Sequence, residues 1–584
     1  MNEFNSDTLA FLLHRRAASC PADIAYSFPE LSQHYTWETL WKETRLLAKG
    51  LLQLGVTKGD SLALLMTGRM ELIVSMFAAA SIGAVIVPLN AYSKTNEVRG
   101  YLQSARPKAM IIGTEGHHLD YPSMLMELIL ECRNSAADNS WLPSSIFVVG
   151  AQAGLPSPLR PFNELMALAS HTTDEKFINA CKAATVHDPL ILLYTSGTTG
   201  SPKGVLRTTA SFMVAPPERG HPGKKSALLQ KTIDRIARRF SVISLLPLYH
   251  LGGFGTIFTN LRVCNIRIVL LTHFNPLQAV KAIRQEACRM MIGTPYMVQR
   301  ILSSSQGDFS GLSSLIGISF TSASVDSSLL RKVNRELRLL FFMVTYGSSE
   351  TGSVANATCF VGRQRSLPIT LLFKLLTRSH LLSGMISFDS FEANNYSLAG
   401  KVDRAVEVNI LNPQTGELLP YGEQGEVSVR SHRVMRYLKH NQDMPCFTAD
   451  GWYKTGDLGY LDDQNVLTIT GRLRRLISRG GEKISPVEIE GLLLKDKDVE
   501  EAFVIGIPDE LYGEQICACL VAKKGANVNA QMIKNRLAVH LSAFKIPQYV
   551  LFLPELPLSP TGKIAVTDIK QLALHALGEL KQNA

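Results

Sequence analysis

The densest chemistry in the sequence lies between Ile191 and Val205. An apolar stretch, Ile191 to Tyr194, runs into Thr195, Ser196, Gly197, Thr198, Thr199, Gly200, Ser201, Pro202 and Lys203. Glycines let backbone N–H groups come close to phosphate oxygens. The hydroxyls add further donors and Lys203 adds a cation. This is the composition of a polyphosphate-binding loop. It is not the Walker pattern, which needs glycine where Pro202 stands and Ser or Thr where Gly204 follows the lysine. A flexible Ser/Gly linker is the plain alternative, and the ordered run of hydroxyls, glycines and one lysine speaks against it.

The run resembles the signature loop of the adenylate-forming superfamily, which holds acyl-CoA synthetases, nonribosomal peptide adenylation domains and luciferases. Further motifs follow in the family's order and extend the resemblance from Trp37 to Lys563, and the whole looks most like an acyl-CoA synthetase. Leu246 to Gly252 is similar to the aromatic-histidine motif, which implies that His250 gates the carboxylate's access; alone, it reads equally as a core histidine. Tyr346 to Gly352 resembles the family's Tyr-Gly-x-Thr-Glu motif. The resemblance implies that Tyr346 stacks on adenine beside Gly347, that Ser349 meets the α-phosphate and that Glu350 holds Mg²⁺. A carboxylate suits that hard cation. Tyr453 to Gly459 matches the motif whose aspartate, here Asp457, accepts from the ribose hydroxyls. Ile469 falls where the family packs a side chain near adenine.

Gly471 to Ile477 resembles the hinge motif, placing Arg472 on the ribose and Arg474 at the hinge. Arg475 stands where the family commonly has Asp, a charge reversal that removes the usual hinge salt bridge. The segment from Gly480 is similar to the one that faces the active site during thioester formation. Leu556 to Ile564 resembles the loop of the catalytic lysine, here Lys563.

The implied reaction consumes ATP with Mg²⁺, forms acyl-AMP and passes the acyl group to CoA. Thr321 to Asp326 replaces a Gly-Gly-Ala-Pro-like stretch, and Ala323 in place of glycine narrows the acyl pocket, while Gly252 and Gly253 leave space beside it. No aspartate is placed for an α-amine, so a fatty or other apolar carboxylic acid is expected. Transfer to a carrier-protein thiol or an amine is the second reading, because acyl-AMP ligases carry an insertion comparable to residues 365–390. A non-catalytic nucleotide-binding scaffold at membranes is the third; the intact set Lys203, Glu350, Asp457, Arg472 and Lys563 argues against it.

The elements that position these residues follow from periodicity. Trp37 to Leu54 has helical spacing, Ser61 to Met66 and Ala84 to Pro88 read as buried strands, and Glu71 to Ile82 reads as a helix between them. Alternation of this kind predicts an α/β fold with largely parallel sheets. Val406–Leu411, Gly425–Arg430 and Val466–Thr470 predict a small β-rich subdomain. After Gly471 the pattern becomes a smaller, mobile α+β domain, with a helix from Pro486 to Leu494, strands at Val499–Ile507 and Gln515–Val521, and a helix from Gln531 to Leu541. The expected division is an N-terminal domain, 1–473, that binds ATP and acid, and a C-terminal lid, 474–584, that carries the lysine.

The 584 residues exceed one typical core. The net charge of +10 suits anionic partners, which the motifs make ATP, pyrophosphate and CoA rather than nucleic acid. Residues 219–240 and 365–390 are basic and amphipathic, so peripheral membrane contact is an alternative to simple packing on the body. The longest apolar tract, Met76 to Leu89, is broken by Gly83 and Pro88 and is too short to span. The nine cysteines are scattered, and the closest pair, Cys517 and Cys519, reads as pointing to opposite strand faces. No basic, apolar leader opens the sequence, and the expected location is cytoplasmic.

Overall fold

The computed structural model describes residues 5–582 apart from 117–118, 135–138, 152–153, 196–202, 213–236, 239, 263–264, 306, 324, 326, 362–396, 438–445, 480–481, 510–511, 542 and 559–563. The two basic segments, 219–240 and 365–390, lie outside the described residues except for Ala237, Arg238 and Phe240.

Three large sheets and one two-stranded ribbon organise the described residues. One has eight strands in the order Arg436–Tyr437, Lys203–Thr208, Pro189–Thr195, Val85–Pro88, Ser61–Leu65, Ala109–Ile112, Ser145–Val148, Leu159–Pro161. From Pro189–Thr195 onward its neighbours are parallel. Such strands are apolar on both faces and need helices over them.

The helix Met70–Ser81 meets that need. Every residue but Glu71 is buried, as expected of a helix that is apolar all round. The apolar tract from Met76 to Leu89 is thus the end of this helix, a turn at Gly83 and the strand Val85–Pro88. Among the described residues no helix is long and apolar enough to cross a membrane. The helix Trp37–Gln53 packs against it, buries Trp37, Leu40, Leu47 and Leu51, and starts where the Thr39 N–H donates to Thr36 Oγ1 at 3.1 Å. Each such buried side chain contributes about 1.5–3 kcal/mol.

The second sheet has thirteen strands. Its middle is parallel, from Ile24–Phe28 through Arg267–Leu270, Ser241–Ser244, Met290–Gly293 and Gly317–Phe320 to Phe341–Ser348. Beyond Phe341–Ser348 every pairing is antiparallel, through Gly352–Phe360, Ser397–Val402, Val466–Arg472, Tyr453–Leu461, Gly425–Arg430 and Glu407–Leu411. The β-rich region is therefore continuous with the main sheet, yet keeps its own core of Val354, Ala399, Ile410, Val427, Val429 and Leu467.

After Arg472 a short 3₁₀ turn, Leu473–Arg475, leads to a five-stranded sheet built from Glu482–Ile484, Ile477–Arg479, Gly513–Ala522, Val499–Asp509 and Tyr549–Phe552. The helices Pro486–Leu493, Ala530–Leu537 and Val566–Gln582 accompany it. Cys517 and Cys519 correct one expectation. They lie two residues apart on Gly513–Ala522, so they share a face, and both are wholly buried in one apolar cluster with Phe503, Ile505 and Ile569.

Candidate active site

The phosphate-loop motif closes a hairpin. Pro189–Thr195 and Lys203–Thr208 run antiparallel, and Thr195 faces Lys203 in the last pair of the ladder. Ser196, Gly197, Thr198, Thr199 and Gly200 lie between them, outside the described residues.

The Glu350 motif is a second hairpin, with Tyr346 and Gly347 on Phe341–Ser348 and the return strand starting at Gly352. Ser348 Oγ accepts from the N–H groups of Glu350 and Thr351, each at 3.2 Å. This local turn bonding explains why hydroxyls flank the glutamate. Gly347 cannot be larger, because a Cβ there would stand 2.0 Å from the Gly352 carbonyl oxygen. Among the described residues no donor reaches the Glu350 carboxylate. One such carboxylate fits Mg²⁺, a hard cation that takes its remaining ligands from phosphate and water.

The third motif meets the second across the sheet. Asp457 lies opposite Arg472 in the ladder between Tyr453–Leu461 and Val466–Arg472. Arg472 Nε donates to Asp457 Oδ1 at 2.6 Å, and Tyr346 Oη donates to Asp457 Oδ2 at 2.7 Å. Burial and then the Asp457 charge push the Tyr346 phenol well above its ordinary range, so it stays a donor. Asp457's charge raises Arg472 above its usual value. Tyr346 and Ile469 border the same apolar cluster. Tyr346, Asp457, Ile469 and Arg472 thus converge next to the hairpin of Ser349 and Glu350.

Two buried arginines that the motifs did not point to pin this hairpin. Arg207 Nη1 donates to the Ser349 carbonyl at 2.9 Å, and Arg433 Nη1 donates to that of Ser353 at 3.1 Å. Between them, the Met435 N–H donates to the Glu350 carbonyl at 2.8 Å. Burial pushes Arg207 down to about 10, helped by Arg433 and opposed by Glu350, which leaves it charged at neutral pH. The signal in the sequence was a lone arginine inside the short strand Lys203–Thr208.

His250 opens the helix Leu251–Arg262, its ring 4.6 Å from that of Tyr249. The glycines after it do not leave open space. A Cβ on Gly253 would stand 2.2 Å from the Pro247 carbonyl oxygen, so this glycine serves close backbone packing. Ala323 is exposed in the bend after Gly317–Phe320.

Arg474 lies in the 3₁₀ turn, and its neighbour Arg475 is engaged on the C-terminal side. Arg475 Nη2 meets Glu490 Oε1 at 2.5 Å and the Val504 carbonyl at 3.1 Å, with its guanidinium 4.2 Å over the Phe503 ring. The charge reversal at this position therefore carries a salt bridge of its own. Gly480 and Lys563 lie outside the described residues. The described residues on either side of Lys563, Leu558 and Ile564, form an antiparallel bridge.

The family described as AMP-binding enzyme matches residues 13–438, and its C-terminal domain matches residues 488–563. The chain belongs to the AMP-binding enzyme family. Medium-chain acyl-CoA ligase ACSF2, mitochondrial, of Macaca fascicularis is 28% identical to this AMP-binding enzyme, over 96% of this chain and 86% of its own. The putative acyl-CoA synthetase YngI of Bacillus subtilis (strain 168) is 26% identical over 98% of both chains. The crystal structure of ATP-bound MatB from Rhodopseudomonas palustris superposes with a TM-score of 0.74 at 21% identity, covering 96% of this chain and 98% of its own. The expected place in the adenylate-forming superfamily, on its acyl-CoA synthetase side, stands, as does the α/β fold with a large N-terminal and a small C-terminal domain.

Proposed function

We propose that this AMP-binding enzyme activates a fatty or other apolar carboxylic acid with ATP and passes the acyl group to the thiol of CoA. The observation that carries the reading is the grip of Tyr346 and Arg472 on Asp457 beside the Glu350 hairpin. These donors orient a buried carboxylate so that its oxygens can exchange partners with two ribose hydroxyls, while the Tyr346 ring and Ile469 supply an apolar surface for a base.

In the first half-reaction a carboxylate oxygen attacks the α-phosphorus of ATP. The bond from that phosphorus to its bridging oxygen breaks, giving acyl-AMP and pyrophosphate. Both reactants are anionic, so charge neutralisation and positioning supply most of the catalysis. Thr195, Lys203 and the loop between them hold the departing pyrophosphate. Ser349 steadies the α-phosphate. Glu350 is the ligand for Mg²⁺, which neutralises phosphate charge when bound. Lys563 bridges the carboxylate and an α-phosphate oxygen, and His250 gates the acid's entry. In the second half-reaction the C-terminal lid, divided from the body between 473 and 474, turns about Arg474 and brings the Gly480 segment to the site. The thiol sulfur attacks the acyl carbon, loses its proton and expels AMP.

The medium-chain relatives support an aliphatic acid, and CoA is the acceptor that their names imply. The reading includes a cytoplasmic location, tested by cell fractionation. A panel of acids assayed for AMP release with and without CoA tests the chemistry. CoA-stimulated release with an aliphatic acid supports the reading. Acyl-AMP accumulating regardless of CoA replaces CoA with a carrier-protein thiol or an amine. The absence of carboxylate-dependent pyrophosphate exchange into ATP refutes acid activation.

A further inference from the structure

Arg207 is an expensive residue to bury. It is 2% exposed, and among the described residues no carboxylate lies within ion-pair distance of it. An unpaired interior cation is costly unless its donors are satisfied. Each of its three nitrogens has a partner here: Nη1 on the Ser349 carbonyl, Nη2 on the Ser211 carbonyl at 3.1 Å and Nε on Ser211 Oγ at 3.3 Å, with the face 5.0 Å from the Phe212 ring. A leucine would fill the same space at lower cost. What a leucine cannot do is hold a carbonyl on another sheet.

That carbonyl belongs to the residue before Glu350. Arg207 lies four residues beyond Lys203 on one strand. The same strand pairs with Arg436–Tyr437, directly after Met435, whose N–H holds the Glu350 carbonyl. One bond thus ties the tip of the Glu350 hairpin directly to the strand that begins at Lys203, and a second ties it to the residue that leads into that strand's partner. With both backbone carbonyls held, the carboxylate at the tip is turned by a rigid backbone.

We propose that Arg207 is a positioning residue for the Glu350 carboxylate, fixing it relative to Lys203 so that cation and lysine meet one triphosphate together. The inference rests on the role of Glu350 given above. Groups that orient a metal ligand from behind typically change metal affinity 10–100-fold when altered. Arg207→Lys keeps the charge and loses the fork.

The test uses the full chain and α,β-methylene-ATP, titrated calorimetrically across a series of free Mg²⁺ concentrations, with thermal unfolding as a folding control. Arg207→Lys is expected to need about tenfold more Mg²⁺ for half-maximal analogue binding, while KM for the acid in pyrophosphate exchange changes far less. Ser211→Ala, which removes the Nε contact together with the Ser211 Oγ bond to the Thr208 carbonyl and leaves the Nη1 and Nη2 bonds in place, is expected to shift the same curve the same way by a smaller factor. It keeps the proposal open to refutation should Arg207→Lys fail to fold. Mg²⁺ curves that superpose on the parent's, with KM for acid and ATP rising together, would overturn the inference and leave Arg207 a structural residue. Glu350→Gln separates the two failures. If it shifts the curve and the Arg207 and Ser211 variants do not, only the inference fails. If it leaves the curve unchanged, the role of Glu350 fails and the inference with it.

Discussion

Tyr346 and Asp457 are 111 residues apart in sequence and 2.7 Å apart in space, phenol to carboxylate. The bond couples the residue proposed to stack on adenine to the one proposed to hold the ribose. Hydrogen bonds to charged groups are worth about 1.5–3 kcal/mol. Asp457→Asn is therefore expected to weaken ATP binding by about 10–100-fold. Tyr346→Phe, which leaves the Arg472 contact intact, is expected to weaken it less. Calorimetric titration with ATP reads both, and unchanged affinity in Asp457→Asn would remove this residue from the nucleotide site.

Lys563→Ala is expected to lose acyl-AMP formation by at least about 100-fold, the usual cost of one donor aimed at developing charge. Thioester formation from supplied acyl-AMP is expected to survive. Equal loss in the two half-reactions would show that the lysine is not specific to adenylation.

Arg475→Asp restores the residue common in the family and places it against Glu490. The variant loses a charged hydrogen bond in a partly exposed setting and gains a repulsion. It is expected to cost about 2 kcal/mol, seen as a lower unfolding midpoint by scanning calorimetry. Pairing it with Glu490→Lys is expected to recover only part of the loss, because Glu490 Oε1 also accepts from the Val504 N–H at 2.7 Å. A midpoint unaffected by Arg475→Asp would mean that the pair is loose in solution.

Glu501 gives a pH dependence with a definite sign. Burial, then the charge of Glu500, raise its carboxyl above the ordinary value; Arg300 opposes and Glu555 adds. A folded-state value above the unfolded one means that the fold favours the protonated form. Stability from this group is full below the unfolded value, near pH 4, and falls as pH rises through the folded value. Glu501→Gln is thus expected to raise the unfolding midpoint at pH 7 and to leave it nearly unchanged below pH 4. A midpoint that drops at pH 7 would show that the attraction to Arg300 outweighs burial.

Legibility in the sequence followed the physics of each element. The helix expected from Trp37 to Leu54 and the strand from Ser61 to Met66 appear as Trp37–Gln53 and Ser61–Leu65, because buried faces impose their period on the residues. Tyr453–Leu461 was legible as a motif and not as a strand, since Thr455, Gly456, Asp457 and Gly459 interrupt its apolar alternation. Local spacing also did not reveal that Asp457 lies opposite Arg472 and against Tyr346, which depends on strand order in the sheet. Arg207 and Arg433 went unseen because a single arginine, in a short strand at 207 and in a turn at 433, reads as solvated; only their carbonyl partners give them meaning. At Cys517 and Cys519 the two-residue period itself places both thiols on one face.

The strand order of the large sheet also sets a schedule for synthesis. Glu407–Leu411, Gly425–Arg430 and Tyr453–Leu461 join the rest of that sheet through Val466–Arg472, the last of its strands to be made. Until Arg472 has been added, Ser397–Val402 waits as an unpaired edge, and the three earlier strands have nothing to dock on. Unpaired edges invite the wrong partner, so this interval is when a growing chain most needs protection. The same closing strand carries Asp457 to Tyr346. The site proposed to hold the nucleotide therefore forms as this edge is covered, by the same strand.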